Sequence, residues 1–257
     1  MSKQKKILLT LIASATLIIG CKNTPKENEK TEAVAEIEQA SEPEWKMLFN
    51  GTDFDGWRSI TSDGPPEYGW KIADNELITE ESGGAESENG GDIVTLKKYS
   101  DFEFEWEWKM LTKGGNSGVK YFVNNASDDN VKYGLGIEYQ ILDDENHVWM
   151  LEGKMKPGDF HTVGAAYELY APSKERKVAP LGEWNTSKIV SKDGKTEHWL
   201  NGIKVVEFDR FSEDFKKRVA ASKFKDNESF GRQESGYLLL QDHGGNVHFR
   251  NIKIREL

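Results

Sequence analysis

From Phe102 to Trp108 the chain reads Phe-Glu-Phe-Glu-Trp-Glu-Trp, with aromatic and acidic residues in strict alternation. A period of two belongs to an extended strand, so four aromatics share one face and Glu103, Glu105 and Glu107 share the other. A helix would scatter the same rings around its circumference, so this segment fixes a strand with one face against a core. Similar short runs occur at Gly69–Ala73, Glu76–Thr79, Gly118–Val123, Gly136–Leu142, Trp184–Val190, Glu197–Leu200, Lys204–Phe208, Tyr237–Gln241 and Val247–Ile254. Turn pairs such as Asp193-Gly194 and Asn201-Gly202 separate them, and many short strands at this spacing imply an all-β sandwich or barrel. The exception is Ser212–Phe224, where Phe211, Phe215 and Val219 recur every four residues and predict one short surface helix over 212–222. No fixed-period repeat is present, which argues against a propeller.

Ahead of this region lies a different kind of sequence. Lys3, Lys5 and Lys6 precede the apolar run Ile7 to Ile19, which is about thirteen residues, short of the roughly 20 a spanning helix needs. Gly20 and then Cys21 follow, the pattern of a lipoprotein export signal cleaved before a lipidated cysteine. Cys21 is the only cysteine, so no intrachain disulfide is available and the domain relies on its core. Residues 22–44 hold seven glutamates and three lysines, without glycine or aromatics, and read as an acidic disordered tether. The expected organisation is a signal over 1–20, a tether over 21–44 and one β-domain over 45–257. The expected location is that of an exported bacterial lipoprotein, periplasmic or anchored at the outer membrane.

With 37% hydrophobic and 30% charged residues the chain is neither mainly disordered nor a multi-span membrane protein. Removing residues 1–20 takes three lysines and no acid, leaving a net charge of −13. Such a surface repels nucleic acid and other polyanions, while a neutral sugar or peptide stays open as a partner.

Alternation along Gly136–Leu142 sets Glu138, Gln140 and Leu142 on one face and Ile137, Tyr139 and Ile141 on the other. Periodicity favours a solvated exterior for Glu138 and Gln140, with a binding surface as the alternative, and the three acids of 102–108 read as solvated. Gln241-Asp242-His243-Gly244-Gly245 ends an apolar strand, where polar groups often line a site. His243 suits acid, base or ligand chemistry, though a turn histidine bonded to backbone is the commoner role, as it is for His161 and His198. Gly114-Gly115-Asn116-Ser117-Gly118 reads as a hairpin turn, with Asn116 as a sugar-hydroxyl partner in the sharper reading. No HExxH or CxxC pair, phosphate loop, dinucleotide fingerprint or nucleophile elbow occurs, so no nucleotide cofactor is expected.

One ordered set of segments is more specific. Leu48-Phe49-Asn50-Gly51, Gly56-Trp57, Asn116-Ser117-Gly118, Glu138-Tyr139-Gln140-Ile141-Leu142-Asp143 and Gly164-Ala165-Ala166-Tyr167 are followed by Gly182-Glu183-Trp184-Asn185, His198-Trp199-Leu200-Asn201-Gly202, Leu240-Gln241-Asp242-His243-Gly244 and Phe249-Arg250-Asn251-Ile252. Together, from about Trp45 to Leu257, they resemble the 3-keto-disaccharide hydrolase family. The resemblance implies a concanavalin-like, laminin-G-like antiparallel jelly-roll sandwich acting on glycosides whose glucose C3 hydroxyl has been oxidised to a ketone. It also implies a cluster around Glu138 as base or metal ligand, with Gln140, Gln241 and Asp242 touching substrate. His161 would be an acid, base or ligand, and Tyr167 a proton donor. His243 would complete the cluster or stabilise its loop. A divalent cation held by Glu138 and His161 would stabilise an enolate as a Lewis acid. The insertion Asp144–Phe160, with Trp149, would shape one end of the site, and Gly83–Gly91 reads as flexible surface. The rival implication is a non-catalytic carbohydrate-binding lipoprotein stacking sugars on exposed Trp57, Trp70 or Trp149.

Overall fold

The computed structural model describes residues 43–82, 91–124 and 134–257. The export signal, Cys21, the tether as far as residue 42 and all of the Gly83–Gly91 loop but Gly91 lie outside the described residues. In chain order the strands are β1 (Lys46–Met47), β2 (Trp57–Ser59), β3 (Trp70–Ala73), β4 (Glu76–Thr79), β5 (Ile93–Thr95), β6 (Phe102–Met110), β7 (Asn116–Val123), β8 (Ile137–Leu142), β9 (Asn185–Lys192), β10 (Lys195–Leu200), β11 (Ile203–Asp209), β12 (Tyr237–Leu240) and β13 (Val247–Glu256). They form an eight-stranded sheet in the order β11-β10-β9-β6-β13-β4-β3, with β1 also on β13, and a five-stranded sheet in the order β2-β5-β12-β7-β8. Described strand pairs are antiparallel throughout, and the two sheets enclose one main core.

β6 lies at the centre of the larger sheet because its sequence can do only one thing. Phe102, Phe104, Trp106 and Trp108 are buried, with Phe104 and Trp106 stacked at 5.0 Å and Trp106 meeting Tyr139 of the other sheet edge-on at 5.1 Å. Each such ring contributes on the order of 1.5–3 kcal/mol on burial. The outward carboxylates are half-buried and paired across to β13. Glu103 meets Arg255 at 2.9 Å, Glu105 meets Lys253 at 2.7 Å and Glu107 meets Arg250 at 2.6 Å. Between Arg250 and Lys253 the register shifts by one residue, with Asn251 at φ 51°, and this bulge keeps all three cations outward while Phe249, Ile252 and Ile254 stay inside.

The two-residue turns behave as read. Asp193-Gly194 and Asn201-Gly202 have φ of 49°, 83°, 48° and 78°, the left-handed pairs that match the twist of the hairpins β9–β10 and β10–β11. The expected helix is α2 (Glu213–Ala221), following a one-turn helix α1 (Val148–Leu151) inside the 144–160 insertion that the pattern did not predict. Ser212 caps α2 by accepting from the Phe215 N–H at 3.1 Å, and Phe215 and Val219 face the core. Phe211 lies ahead of the cap and is exposed, so the four-residue recurrence marks two buried positions, not three. The Gly114–Gly118 segment is not a hairpin turn. It carries the chain from β6 in the larger sheet to β7 in the smaller one, and the Gly114 N–H donates to Asp143 at 2.8 Å.

Candidate active site

Glu138 and Gln140 lie on β8, the edge of the smaller sheet, and alternation turns Ile137, Tyr139 and Ile141 into the core. The expected solvated exterior is wrong for this strand. Glu138 is 8% exposed and Gln140 3%, so a carboxylate and an amide are held in a nearly dry surface. Cross-strand register sets Glu138 opposite Lys120, itself 8% exposed, and Lys120 opposite Leu239. One step along, Gln140 is opposite Gly118, whose carbonyl accepts from the Gln241 N–H at 2.9 Å. Gly118 is a floor without a side chain. A Cβ there would collide with the Gln241 side-chain oxygen and lie 2.9 Å from Glu138 Oε1, so both residues lean over the same spot.

The free edge of β8 is taken up by Gly164–Tyr167. The Gly164 N–H donates to the Gln140 carbonyl at 2.9 Å, the Gln140 N–H to Ala165 at 3.1 Å and the Tyr167 N–H to the Glu138 carbonyl at 3.0 Å. Tyr167 therefore adjoins Glu138 across the edge. Beneath the site, polar posts cross between the sheets: Tyr121 Oη meets His198 Nε2 at 2.7 Å, and Ser187 donates to Tyr139 Oη at 2.9 Å. His198 Nδ1 meets the Gly164 carbonyl at 3.1 Å, so the core histidine also braces the segment alongside Glu138. Complete burial pushes the His198 imidazole down to about 4, so it stands in the neutral form, donating to Gly164 and accepting from Tyr121. The sequence reading of His198 as a backbone-bonded histidine fits this role.

Several oxygens at this end of the sheet lack partners. The side-chain oxygens of Asn116, Gln140 and Gln241 and Oδ2 of Asp242 are buried with no hydrogen bond. A buried polar atom without a partner costs about 1–3 kcal/mol, and a ligand that supplies donors recovers it. Asp92, buried next to this row, accepts from the Asp242 N–H at 2.9 Å and has Lys120 Nζ 3.9 Å away. Burial, with Asp92 adding repulsion, pushes the Asp242 carboxyl up to about 6, against the Gly244 N–H that it accepts at 2.9 Å. His243 stands between Asp242 and Gly244 in this loop, at the end of β12.

His161 is placed differently. Its Nδ1 is 3.5 Å from Asp159 and its Nε2 3.3 Å from Glu168, so both ring nitrogens face carboxylates other than Glu138. Its ring meets Tyr167 at 5.1 Å and Trp149 at 5.8 Å, making it a neighbour of the site through Tyr167. Among the described residues no group of three or more His, Cys, Asp and Glu side chains is placed to hold a metal ion. Of the three tryptophans offered as stacking platforms, Trp57 and Trp70 are buried, donating to Leu48 and Gly91 carbonyls at 2.6 and 2.7 Å. Trp149 is exposed. The residues missed by sequence reasoning are Lys120, Asp92 and Gly118. Lys120 did leave a signal, as a lone charge inside the apolar run Val119–Val123.

A two-sheet antiparallel sandwich with amides and a carboxylate on the outer face of one sheet leaves room for a polar ligand there. The chain belongs to the family described as the 3-keto-alpha-glucoside-1,2-lyase-like domain, which matches residues 44–255. It is 31% identical over 230 residues to the 3-keto-disaccharide hydrolase of Bacteroides thetaiotaomicron, covering 82% of this chain and 77% of that protein. A crystal structure from Parabacteroides distasonis, of a protein provisionally described as a glycosyl hydrolase, matches with TM-score 0.72 and 38% identity over 83% of this chain and 94% of that one. A Bacillus subtilis protein with a galectin-like fold matches with TM-score 0.51 at 12% identity over 83% and 94%, which speaks to the fold alone. The protein is an all-β sandwich of this family.

Proposed function

We propose that the chain cleaves 3-keto-glycosides by elimination followed by hydration. A ketone at C3 acidifies the C2 hydrogen, and the Glu138 carboxylate accepts that proton. The electron pair moves onto the C3 oxygen as an enolate, next to the Lys120 ammonium that faces Glu138 across β7 and β8. Collapse of the enolate breaks the bond from C1 to the glycosidic oxygen, and Tyr167 gives that oxygen its proton. Water then adds across C1 and C2, hydroxyl to C1 and hydrogen to C2, which amounts to hydrolysis. Donors on the sugar hydroxyls satisfy the buried oxygens of Asn116, Gln140 and Gln241, while Asp242 and His243 shape the loop beside them.

The observation that carries this reading is a nearly buried carboxylate in register with a nearly buried lysine, over a glycine floor and beside unpartnered amide oxygens. The family description as a 1,2-lyase, which names an elimination between C1 and C2, and the relative's name as a 3-keto-disaccharide hydrolase support the same chemistry. Export and a lipid anchor at Cys21 are part of the proposal and would hold this site at a membrane surface.

The test is incubation with a 3-keto-glucoside and its unoxidised parent, with and without chelator, following release of the leaving group. The keto compound alone should be cleaved, and deuterium at C2 should slow a rate-limiting elimination. Cleavage of the unoxidised parent at an equal rate would remove the role of the ketone, and no release from either would leave a binding protein.

A further inference from the structure

A second feature lies beyond Gln140 on the same strand. A cavity of about 810 Å³ opens where β8 ends, walled by Trp108, Met110, Leu142, Met150, Val178 and Leu181. None of Glu138, Lys120, Gln241 or His243 lines it. Its volume lies in the range of small-molecule sites. The cavity is built by two loops tied together. Asp144 accepts from Arg176 at 2.8 Å and from the Val163 N–H at 2.9 Å, so the segment after β8 is cross-linked to the 174–181 loop. Burial raises the Asp144 carboxyl, and Arg176 together with the Val163 N–H opposes that shift.

We infer that this cavity receives the aglycone of the glycoside, and that it is shaped for an uncharged, apolar one. The inference rests on the function proposed above. Leu142 shares its face of β8 with Glu138 and Gln140 and also lines the cavity, and four extended residues from Glu138 span about 13 Å. A sugar seated over Glu138 and Gln140 therefore sends its C1 substituent along the strand into the cavity. The wall offers methionine, leucine, valine and an indole, which suit an aromatic or aliphatic group better than a second sugar needing many hydrogen bonds. The acids do not call for a cation. Asp143 is occupied by the Gly114 N–H and Asn146, and Asp144 by Arg176, while Glu145 and Glu183 outnumber Lys174 among the remaining charges of the lining, so anions are disfavoured and neutral groups are accepted.

Binding and cleavage test the two ideas separately. By calorimetry on the intact protein, unoxidised naphthyl glucoside should bind at least about tenfold more tightly than methyl glucoside, the scale of a filled apolar subsite. Val178 and Leu181 sit at the exposed mouth, so Leu181→Glu and Val178→Glu should fold normally. Each should remove most of that preference while leaving methyl glucoside binding as it was. Leu181→Trp, which narrows the mouth without adding charge, should do the same. In cleavage of the two 3-keto derivatives, the variants should raise KM for the naphthyl compound and leave kcat/KM for the methyl compound unchanged. Equal binding of the two glucosides by the wild type, or a preference untouched by all three variants, overturns the aglycone site. Failure to cleave either keto compound while the binding preference stands overturns the proposed reaction instead.

Discussion

Each sheet sets polar side chains on alternate residues of one strand, three carboxylates on β6 and a carboxylate and an amide on β8, and the two strands use them in opposite ways. On β6 the outward acids are half-buried, and each closes on a cation from β13 within 2.9 Å. On β8 Glu138 is nearly buried, Gln140 beside it has an unpartnered oxygen, and the facing strand supplies one lysine and one missing side chain, at Lys120 and Gly118. The first arrangement spends its charges within the sheet. The second leaves hydrogen-bonding capacity unspent in a water-poor place, where a charge is costly to hold and strong in its effect on whatever binds. A strand satisfied by its neighbours is a wall, and one left short of partners is a site.

The largest effect should come from removing the site carboxylate. Glu138→Gln keeps the shape and the core-facing neighbours Ile137, Tyr139 and Ile141, so the melting temperature should hardly move. Cleavage of a 3-keto-glucoside should fall by roughly 10²- to 10⁴-fold, the usual worth of a general base. The same change at Glu105 should leave turnover intact. Comparable turnover in the Glu138 and Glu105 variants would erase the distinction between the strands.

Next is the floor. Gly118→Ala adds a Cβ against Gln241 and 2.9 Å from Glu138 Oε1, displacing the two groups that lean over it. Displacements of about 1 Å in a site can cost on the order of 10² in rate, so kcat/KM should fall by about that factor. The Gly118 backbone is not left-handed, and circular dichroism should show the sandwich unchanged. An active Gly118→Ala protein would mean the substrate does not lie over this glycine.

The loop that holds Asp242 should also be visible in folding. Asp242 has its native pKa raised to about 6 from 3.8, so between those values the folded state holds a proton the unfolded state has released. Its contribution to stability is fully present below about pH 4 and is lost as pH rises through about 6, a change on the order of 2 kcal/mol. Asp242→Asn still offers an oxygen to the Gly244 N–H. Urea melts from pH 3.5 to 8 should show the variant gaining on the wild type as pH rises through this window and the difference levelling above it. A constant difference across the range would show that Asp242 titrates normally.

How much of this contrast could be read from the chain follows from what alternation reports. It gave β6, the helix at 213–221 and the left-handed hairpin turns, because each depends on a few adjacent residues. It also gave the face shared by Glu138 and Gln140. What it could not give is what lies across a strand or over it. Alternation alone makes Glu138 solvated, because its burial depends on β7 and on Gly164–Tyr167, distant in sequence. Lys120 acquires its meaning only through its register with Glu138, and Gly114–Gly118 reads as a hairpin because glycines mark a turn without saying which sheet the next strand joins. Asn116 and the strand-end pair Gln241 and Asp242 stand out by residue type and position, Gln140 by sharing a face with Glu138, and the family resemblance adds their contact with substrate; the common property that ties the four, a buried oxygen without a partner, is invisible before folding.

A smaller effect tests the posts beneath the site. Tyr121→Phe removes the hydroxyl that meets His198 Nε2 at 2.7 Å, leaving a buried imidazole nitrogen without its donor. The expected cost is about 1–2 kcal/mol in urea unfolding, because both groups lie inside the core. With His198 still held at Gly164, turnover should fall far less than in Glu138→Gln. A loss of activity as large as that of Glu138→Gln in a stable protein would move His198 and Tyr121 from support into the chemistry.

The smallest effect belongs to the wall, and it is the control on which the comparison depends. Lys253 and Glu105 meet at 2.7 Å with side chains 30% and 28% exposed, so water and salt screen an attraction that is already offset by the ordering of two long side chains. A double-mutant cycle with Lys253→Met and Glu105→Gln should give a coupling of about 0.2–1 kcal/mol, shrinking further in 1 M salt. Lys253 also lies 4.9 Å from the Trp45 ring, so part of the single-variant cost is lost packing that the cycle subtracts. Activity should be unchanged in all three variants. A coupling of several kcal/mol, insensitive to salt, would mean that the outer face of β6 is as water-poor as the row around Glu138, and the two strands would then differ in their partners and not in their surroundings.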